Sequence, residues 1–250
     1  MELGELNVPF IRQGGQVIHP NPIRDGLVLW YDFSGMDNSF SNKDIAEDLS
    51  GNGNHGTLQN FNYTAESGYD KTGLLSTGLK FDGVDDYVGY TEGRVAAKTL
   101  EVTAEIAEPI TTYATLIGTF VGNGNGGFNI YNYGQYLRVH ASSIDDNQLF
   151  TVSGLRAGTK LHIVAVMNGS QCLMYTNGIQ IDSFDFLDYK AEQTNSASQG
   201  LFLGSYHNGS TYLSQESIFS AKAYNRPLTS EEIAHNYQIE KERFNIGGGQ

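Results

Sequence analysis

Three groups of residues have types and spacings that could do chemistry. The stretch DLSGNGNHG, residues 48 to 56, sets Gly51, Gly53 and Gly56 at G-x-G-x-x-G. That spacing binds dinucleotides when a strand delivers the glycines to a helix N-terminus, where backbone N–H groups meet a pyrophosphate. Neither flank supplies those elements: polar SNKDIAE precedes Asp48, and TLQNFNYT, rich in β-formers and without a 3.6-residue period, follows Gly56. The nucleotide reading is therefore set aside. The same loop alternates oxygen ligands, Asp48, Ser50 and Asn52, before Gly53, like the first half of a calcium loop. An EF-hand would need a bidentate Glu eleven residues after Asp48, and Gln59 stands there. A hard cation still fits if a second segment brings carboxylates, and FDGVDDY (81–87) offers Asp82, Asp85 and Asp86. Asp48, Asn52, Asp82 and Asp85 are thus candidate ligands of a structural calcium ion. The alternative is that Asn and Gly only supply left-handed backbone, with Asp82 making an Asx turn before Gly83.

Paired carboxylates are the second group. Glu101 and Glu105 share the strand-like TLEVTAEI, but their spacing puts them on an alternation that reads as a solvated strand face. Asp85 and Asp86 are adjacent, and on a strand they would point to opposite faces, which suits one ligand and not a catalytic dyad. Ser, His and Asp occur without a nucleophile elbow to join them. No catalytic residue is assigned, and the chain is expected not to be an enzyme.

Aromatic residues are the third group. GNGNGGFNIYNYGQYLRVH sets a glycine-rich loop (122–127) beside Tyr131, Tyr133 and Tyr136, and YHNGSTY adds Tyr206, His207 and Tyr212. Aromatic faces with amide neighbours stack on sugar rings and bond their hydroxyls, and they serve protein interfaces equally well. Tyr131, Tyr133, Tyr136, Tyr206 and His207 are therefore the candidate glycan or protein contacts.

The elements that must position these groups are strands. From GLVLWYDF (26–33) onward, short apolar runs rich in Val, Ile, Leu, Tyr and Phe alternate with Gly/Asn/Ser clusters, at period two rather than 3.6. Strands are predicted at 78–90, 99–107, 113–122, 127–133, 136–142, 148–154, 160–168, 172–184, 200–206 and 214–224. With no helices between them, βαβ architecture is excluded and an all-β antiparallel sandwich or jelly roll is favoured. Asn177-Gly178, flanked by alternating strands, predicts a type I′ hairpin turn. One C-terminal helix is predicted: Thr229 is its N-cap, Glu232 the capping-box partner, and Ile233, Tyr237, Glu240/Lys241 and Phe244 share a face.

Residues 1 to 25 contain Pro9, Pro20, Pro22 and the pair Gly14-Gly15, which suits an extended arm. Residues 26 to 244 form the jelly-roll domain, and 245 to 250 a flexible tail. The 250 residues carry 28 Asp and Glu against 15 Lys and Arg, a net charge of −13, with no basic run, so a nucleic-acid partner is excluded. The single Cys172 lies in apolar CLMY and is expected to be a small core hydrophobe. The acidic N-terminus has no apolar signal region, and no run of eighteen apolar residues occurs, so neither signal-peptide export nor membrane insertion is expected. Three N-x-S/T triplets, at Asn62, Asn168 and Asn208, are then read as turn chemistry.

Taken in order, WYDFSG, DLSGNGNHGTL, GLKFDGVDDYV, LMYTNGIQI and AKAYNRPLTSEEIAHNY resemble the successive signatures of laminin-G-like, concanavalin A-like jelly-roll domains. The resemblance spans about residues 26 to 244. It implies two stacked, curved antiparallel sheets with first and last strands adjacent, and a rim loop near which calcium is often bound. AEDLSGNGNHGT and EEIAHNYQIEKERF are further similar to virion surface proteins of tailed phages of gut bacteria, including crAss-like phages. That second resemblance implies a non-enzymatic virion protein, a capsid decoration, head fibre or tail appendage, made in the host cytoplasm and displayed on the particle. It would be a homo-oligomer, would meet other virion proteins through the N-terminal arm, with Leu3, Leu6, Val8, Phe10 and Ile11 as anchoring residues, and would adhere to glycans. A free carbohydrate-binding module or lectin is the alternative, and a glycoside hydrolase of the same fold a further one.

Overall fold

The computed structural model describes residues 11–13, 16–70, 78–93, 95–107, 113–120, 128–133, 136–141, 147–152, 155–185, 200–206 and 209–247. Two antiparallel sheets pack face to face. The first runs β13 (Asn147–Thr151), β12 (Tyr136–Ala141), β11 (Phe128–Tyr133), β10 (Ala114–Phe120), β17 (Gly200–Leu203), β8 (Tyr87–Tyr90), β5 (Gly56–Gln59) and β4 (Ile45–Ala46). The second runs β16 (Ile179–Asp185), β15 (Gln171–Thr176), β14 (Lys160–Asn168), β9 (Thr99–Glu105), β18 (Ser217–Tyr224), β7 (Gly78–Lys80) and β6 (Gly68–Asp70), with β3 (Leu27–Asp32) also paired to β18. The all-β class, the two sheets and the single C-terminal helix agree with the sequence. So does the adjacency of the first and last domain strands, with Asp32 opposite Ser220 and Leu29 opposite Ala223.

Alternation builds the core. Leu100, Val102 and Ala104 of β9 and Ile163 and Ala165 of β14 face Ile117, Phe128, Ile130, Leu137 and Val139 of the other sheet, all buried in one cluster. Cys172 belongs to this core, and burial pushes its thiol up to about 12, so it is an inert apolar filler. Asn177 (φ 51) and Gly178 (φ 75) make the expected hairpin turn between β15 and β16.

Helix α1 (Ser230–Phe244) is capped as its sequence specifies: Thr229 accepts from the Glu232 N–H, and Glu232 reaches back to the Thr229 N–H. Arg226 adds an ion pair to Glu232 at 2.6 Å. The helix lies against the second sheet on the face away from the core. There Ile233 joins Trp30, Val164, Val166, Tyr175 and Tyr224 in a second apolar cluster, and Phe244 stacks on Phe219 at 5.1 Å. Both faces of β9 and β14 are thus buried, and the polar alternation at Glu101 does not mark solvent: Glu101 is fully buried.

In the 1–25 segment, residues 1 to 10 lie outside the described residues, and with them Leu3, Leu6, Val8 and Phe10. Ile11–Gln13 (β1) pairs with Gln16–His19 (β2) in a separate two-stranded sheet, Ile11 opposite His19. The segment then packs on α1: the Ile23 N–H donates to Asn236 Oδ1 at 2.9 Å, and His235 Nε2 lies 3.0 Å from the Asn21 carbonyl. Among the described residues no helix is long and apolar enough to cross a membrane.

Candidate functional site

Cross-strand register on the first sheet brings tyrosines together. Thr115 of β10, Tyr131 of β11 and Arg138 of β12 form one row, and Tyr133 stands opposite Tyr136 in the next. The core-facing alternates are Ile130 and Leu137, so Tyr131, Tyr133 and Arg138 sit on the outward face. Tyr113 stacks on Tyr133 with centroids 4.7 Å apart, and the Arg138 guanidinium lies 4.6 Å over the Tyr113 ring. Tyr212 meets Tyr113, Tyr131 and Tyr206 at 5.2, 5.6 and 5.6 Å. Burial first, then neighbouring Tyr206 and Tyr212, raise the Tyr131 phenol well above its ordinary value, with Arg138 opposing. It remains a hydroxyl donor. Tyr131, Tyr133 and Tyr206 are therefore one cluster, with Tyr136 opposite Tyr133, while His207 lies outside the described residues. Tyr113 and Arg138 escape the sequence reading because only the register of β10, β11 and β12 places them here.

The cation candidates separate into two places. Asp48 is committed to its own loop: its carboxylate accepts from the backbone N–H groups of Trp30 (2.9 Å), Ser50 (3.0 Å) and Asn54 (2.9 Å). The Asn52 amide donates to the carbonyls of Leu27 and Val28. Gly51 (φ 91) and Gly53 (φ 77) supply the left-handed backbone that closes the turn.

Asp82, Asp85 and Asp86 do converge, each offering an oxygen within 4.8 Å of the others. The segment between β7 and β8 is a turn and not a strand, so the opposite-face expectation for Asp85 and Asp86 fails there. Asp82 Oδ1 accepts from the Val84 N–H at 2.8 Å, and Asp86 Oδ2 from the Asp82 N–H at 3.0 Å. Asp86 is 1% exposed and its Oδ1 has no hydrogen-bond partner. Burial pushes its carboxyl up to about 6, with Ser67 opposing and the Asp82 charge adding to the rise. Asp82 also lines a cleft of about 460 Å³ with Glu66, Lys80, Glu105, Gln215 and Ser217.

A third cluster lies beneath α1. Lys222 Nζ is 2.8 Å from both Glu101 Oε1 and Glu240 Oε1, and His162 Nε2 is 3.2 Å from Glu101 Oε1. Asn236 donates to Glu101 Oε2 at 2.7 Å, and the Thr103 hydroxyl to Glu240 Oε2 at 2.9 Å. Burial alone would raise the Glu101 carboxyl, but Lys222 and His162 outweigh it and hold it well below the usual carboxylate range. The cluster is closed to solvent and pins the helix to the sheet. A charged Lys222 within apolar SIFSAKAY was the sequence signal that could have revealed it.

The sequence matches no known protein family and no curated protein. Its fold is similar to solved structures of Trypanosoma rangeli sialidase. In the complex with 2,3-difluoro-KDN the TM-score is 0.63 at 19% identity, over 92% of this chain and 35% of that one. In a second sialidase structure it is 0.60 at 18% identity, over 87% and 33%. The binding domain of botulinum neurotoxin serotype D is also similar, with TM-score 0.61 and 13% identity over 87% of this chain and 53% of that one. The chain thus spans about a third to a half of the length of these structures. At such identities the likeness is one of fold. Together with the observed topology it defines a two-sheet β-sandwich, consistent with a concanavalin A-like jelly roll.

Proposed function

We propose that this jelly roll is a non-enzymatic glycan-contacting domain displayed on the surface of a phage particle. The observation that carries the glycan reading is the outward tyrosine cluster of Tyr113, Tyr131, Tyr133, Tyr206 and Tyr212 with Arg138 and its amide neighbours. Rings with adjacent hydrogen-bonding groups suit the two faces of a sugar. The fold's likeness to a sialidase and to a toxin binding domain is in keeping with it. Burial of Glu101 within ion pairs supports the non-enzymatic reading, since that carboxylate cannot reach a glycosidic bond. The virion assignment rests on the resemblance of AEDLSGNGNHGT and EEIAHNYQIEKERF. In it, the chain assembles in the host cytoplasm as a homo-oligomer and its N-terminal segment, through Leu3, Leu6, Val8, Phe10 and Ile11, holds neighbouring virion proteins by strand addition.

A glycan microarray probed with the whole protein and with Tyr133→Ala tests the first part. Retention by wild type and loss by the variant are expected; no retention on any glycan refutes it, and turnover of an arrayed polysaccharide would make the protein an enzyme. Quantitative proteomics of purified particles tests the second part. The chain is expected in fixed stoichiometry, and deletion of residues 2 to 10 should leave it folded but outside particles.

A second reading is favoured by the orphaned Asp86 Oδ1. We propose that the expected calcium is held by Asp82, Asp85 and Asp86, and not by the self-satisfied Asp48 and Asn52. An oxygen-rich turn with one buried, unpaired carboxylate oxygen suits a hard cation. At 100 times the dissociation constant such an ion adds about 2.7 kcal/mol, roughly 5–11 °C for a domain of this size. The thermal midpoint with calcium and with chelator should differ by that amount in wild type and not in Asp86→Asn. An unchanged wild-type midpoint overturns the assignment.

A further inference from the structure

Beneath the tyrosines lie polar atoms that the fold leaves unsatisfied. Thr115 Oγ1, Asn129 Nδ2 and Oδ1, and Arg138 Nε are all buried without a hydrogen-bond partner. They are not scattered. Thr115, Tyr131 and Arg138 share one cross-strand row, and Asn129 belongs to the neighbouring row, opposite Gly118 on one side and His140 on the other. Both rows face outward, away from Ile130 and Leu137 in the core. Each orphaned group costs about 1–3 kcal/mol, and native folds seldom keep several in one place without a use for them.

Gly118 shows how the amide is accommodated. A Cβ at that position would lie 1.8 Å from Asn129 Oδ1, so only glycine lets the amide rest on the strand. Arg138 brings the charge. Among the described residues no carboxylate is ion-paired with it, in a chain whose net charge is −13. Its guanidinium is already oriented by the Tyr113 ring, with Nε on the buried side. Nε together with one Nη forms the planar fork that matches a carboxylate.

Tyr212 stands at the edge of this floor, its ring against Tyr131 and its carbonyl bonded to Thr115. It is 39% exposed, leans on Tyr113, Tyr131 and Tyr206, and holds φ at 53°, a left-handed conformation that costs a bulky residue about 1–2 kcal/mol. Strain of that kind gathers at ligand clamps. The Thr115 N–H fixes the Tyr212 carbonyl at 2.8 Å, so the ring can swing while its backbone stays.

We infer that this floor is a subsite for a sugar bearing a carboxylate, the acid group taken by the Arg138 fork and neighbouring hydroxyls by Asn129 and Thr115, with Tyr212 as the movable edge. The inference rests on the glycan reading above and narrows it to acidic sugars. Neutral sugars would meet the outer tyrosines but would leave Arg138 without its anion.

The test is calorimetric titration of the whole protein with a galacturonate trisaccharide and sialyllactose, against a galactose trisaccharide and lactose. At least one acidic ligand should bind tenfold or more tightly than its neutral counterpart, and the difference should shrink between 50 and 500 mM salt. Arg138→Gln should abolish the preference, bringing acidic binding down to that of the neutral counterpart in the same variant. Arg138→Lys, which keeps charge but not the fork, should recover only part of it. Circular dichroism confirms that each variant folds. Equal binding of acidic and neutral sugars, unaffected by Arg138→Gln, overturns the acidic subsite and leaves the glycan reading standing. No binding by any sugar, on this panel and on the microarray, overturns both.

Discussion

Replacing Lys222 by Met removes the one cation that bridges Glu101 and Glu240 beneath helix α1. The methionine fills most of the lysine's volume, so the loss is electrostatic. Two carboxylates, each 1% exposed or less, would then face each other with Asn236, Thr103, His162 and, at 3.9 Å from Glu240, Arg243 as their remaining partners. Breaking a buried pair from one side costs about 3–5 kcal/mol, and at roughly 2–4 °C per kcal/mol for a domain of this size the midpoint should fall by about 6–20 °C. Thermal unfolding followed by circular dichroism at pH 7 measures it. Acidification gives a second reading of the same quantity. In wild type the depressed Glu101 pKa contributes stability that is complete above its unfolded value of about 4.5 and is lost as pH falls below it. In the variant Glu101 loses its main charged partner, burial shifts it toward its neutral form against His162 alone, and protonation relieves part of the defect. The gap between the two proteins should therefore narrow from pH 7 to pH 4. A loss under about 1 kcal/mol at pH 7, or a gap that widens in acid, would refute the account of a charge-neutralised clasp.

Three further outcomes are expected. Gly118→Ala pushes a methyl group to 1.8 Å from Asn129 Oδ1 and should cost about 1–3 kcal/mol; a midpoint equal to wild type would mean that the amide is not where it is described. Gly178→Ala places a side chain at φ +75° and 2.9 Å from the Tyr237 ring, so a loss of about 1–2 kcal/mol is expected in urea unfolding. Asp86, with its folded pKa raised to about 6, takes up a proton on folding. In chelator, wild-type stability should therefore rise as pH is lowered from about 7 to about 5, and the slope should vanish in Asp86→Asn.

Much of this was legible wherever the determinant is local. The Asn177-Gly178 turn, the Thr229–Glu232 capping box and most of the period-two strands are specified by neighbours in sequence and appear where expected, whereas the strand expected over 78–90 is split by a turn into β7 and β8, in different sheets. What depends on distant partners was not. Thr99, Glu101 and Thr103 alternate with apolar residues as a solvated strand would, and only the arrival of α1 from the far end of the chain turns that face into an interior. Asp85 and Asp86 misled because alternation applies to strands and they sit in a turn. The tyrosines were visible as residue types, but their assembly with Tyr113, Asn129 and Arg138 needed the register of three strands.

The pairing of β3 with β18 also dictates a schedule. β18 is central, hydrogen-bonded to β9 on one side and to β3 and β7 on the other, and it emerges from the ribosome after every other described strand. Until it does, Tyr31 of β3 and Val102 of β9 lack the strand that lies between them, where both stand opposite Ala221. The helix that covers the sheet comes later still, and its Asn236 meets Ile23 across a separation of 213 residues. The second sheet thus cannot be completed until residues 217–224 have been made, and a chain stalled before residue 217 lacks the strand that joins β9 to β3 and β7.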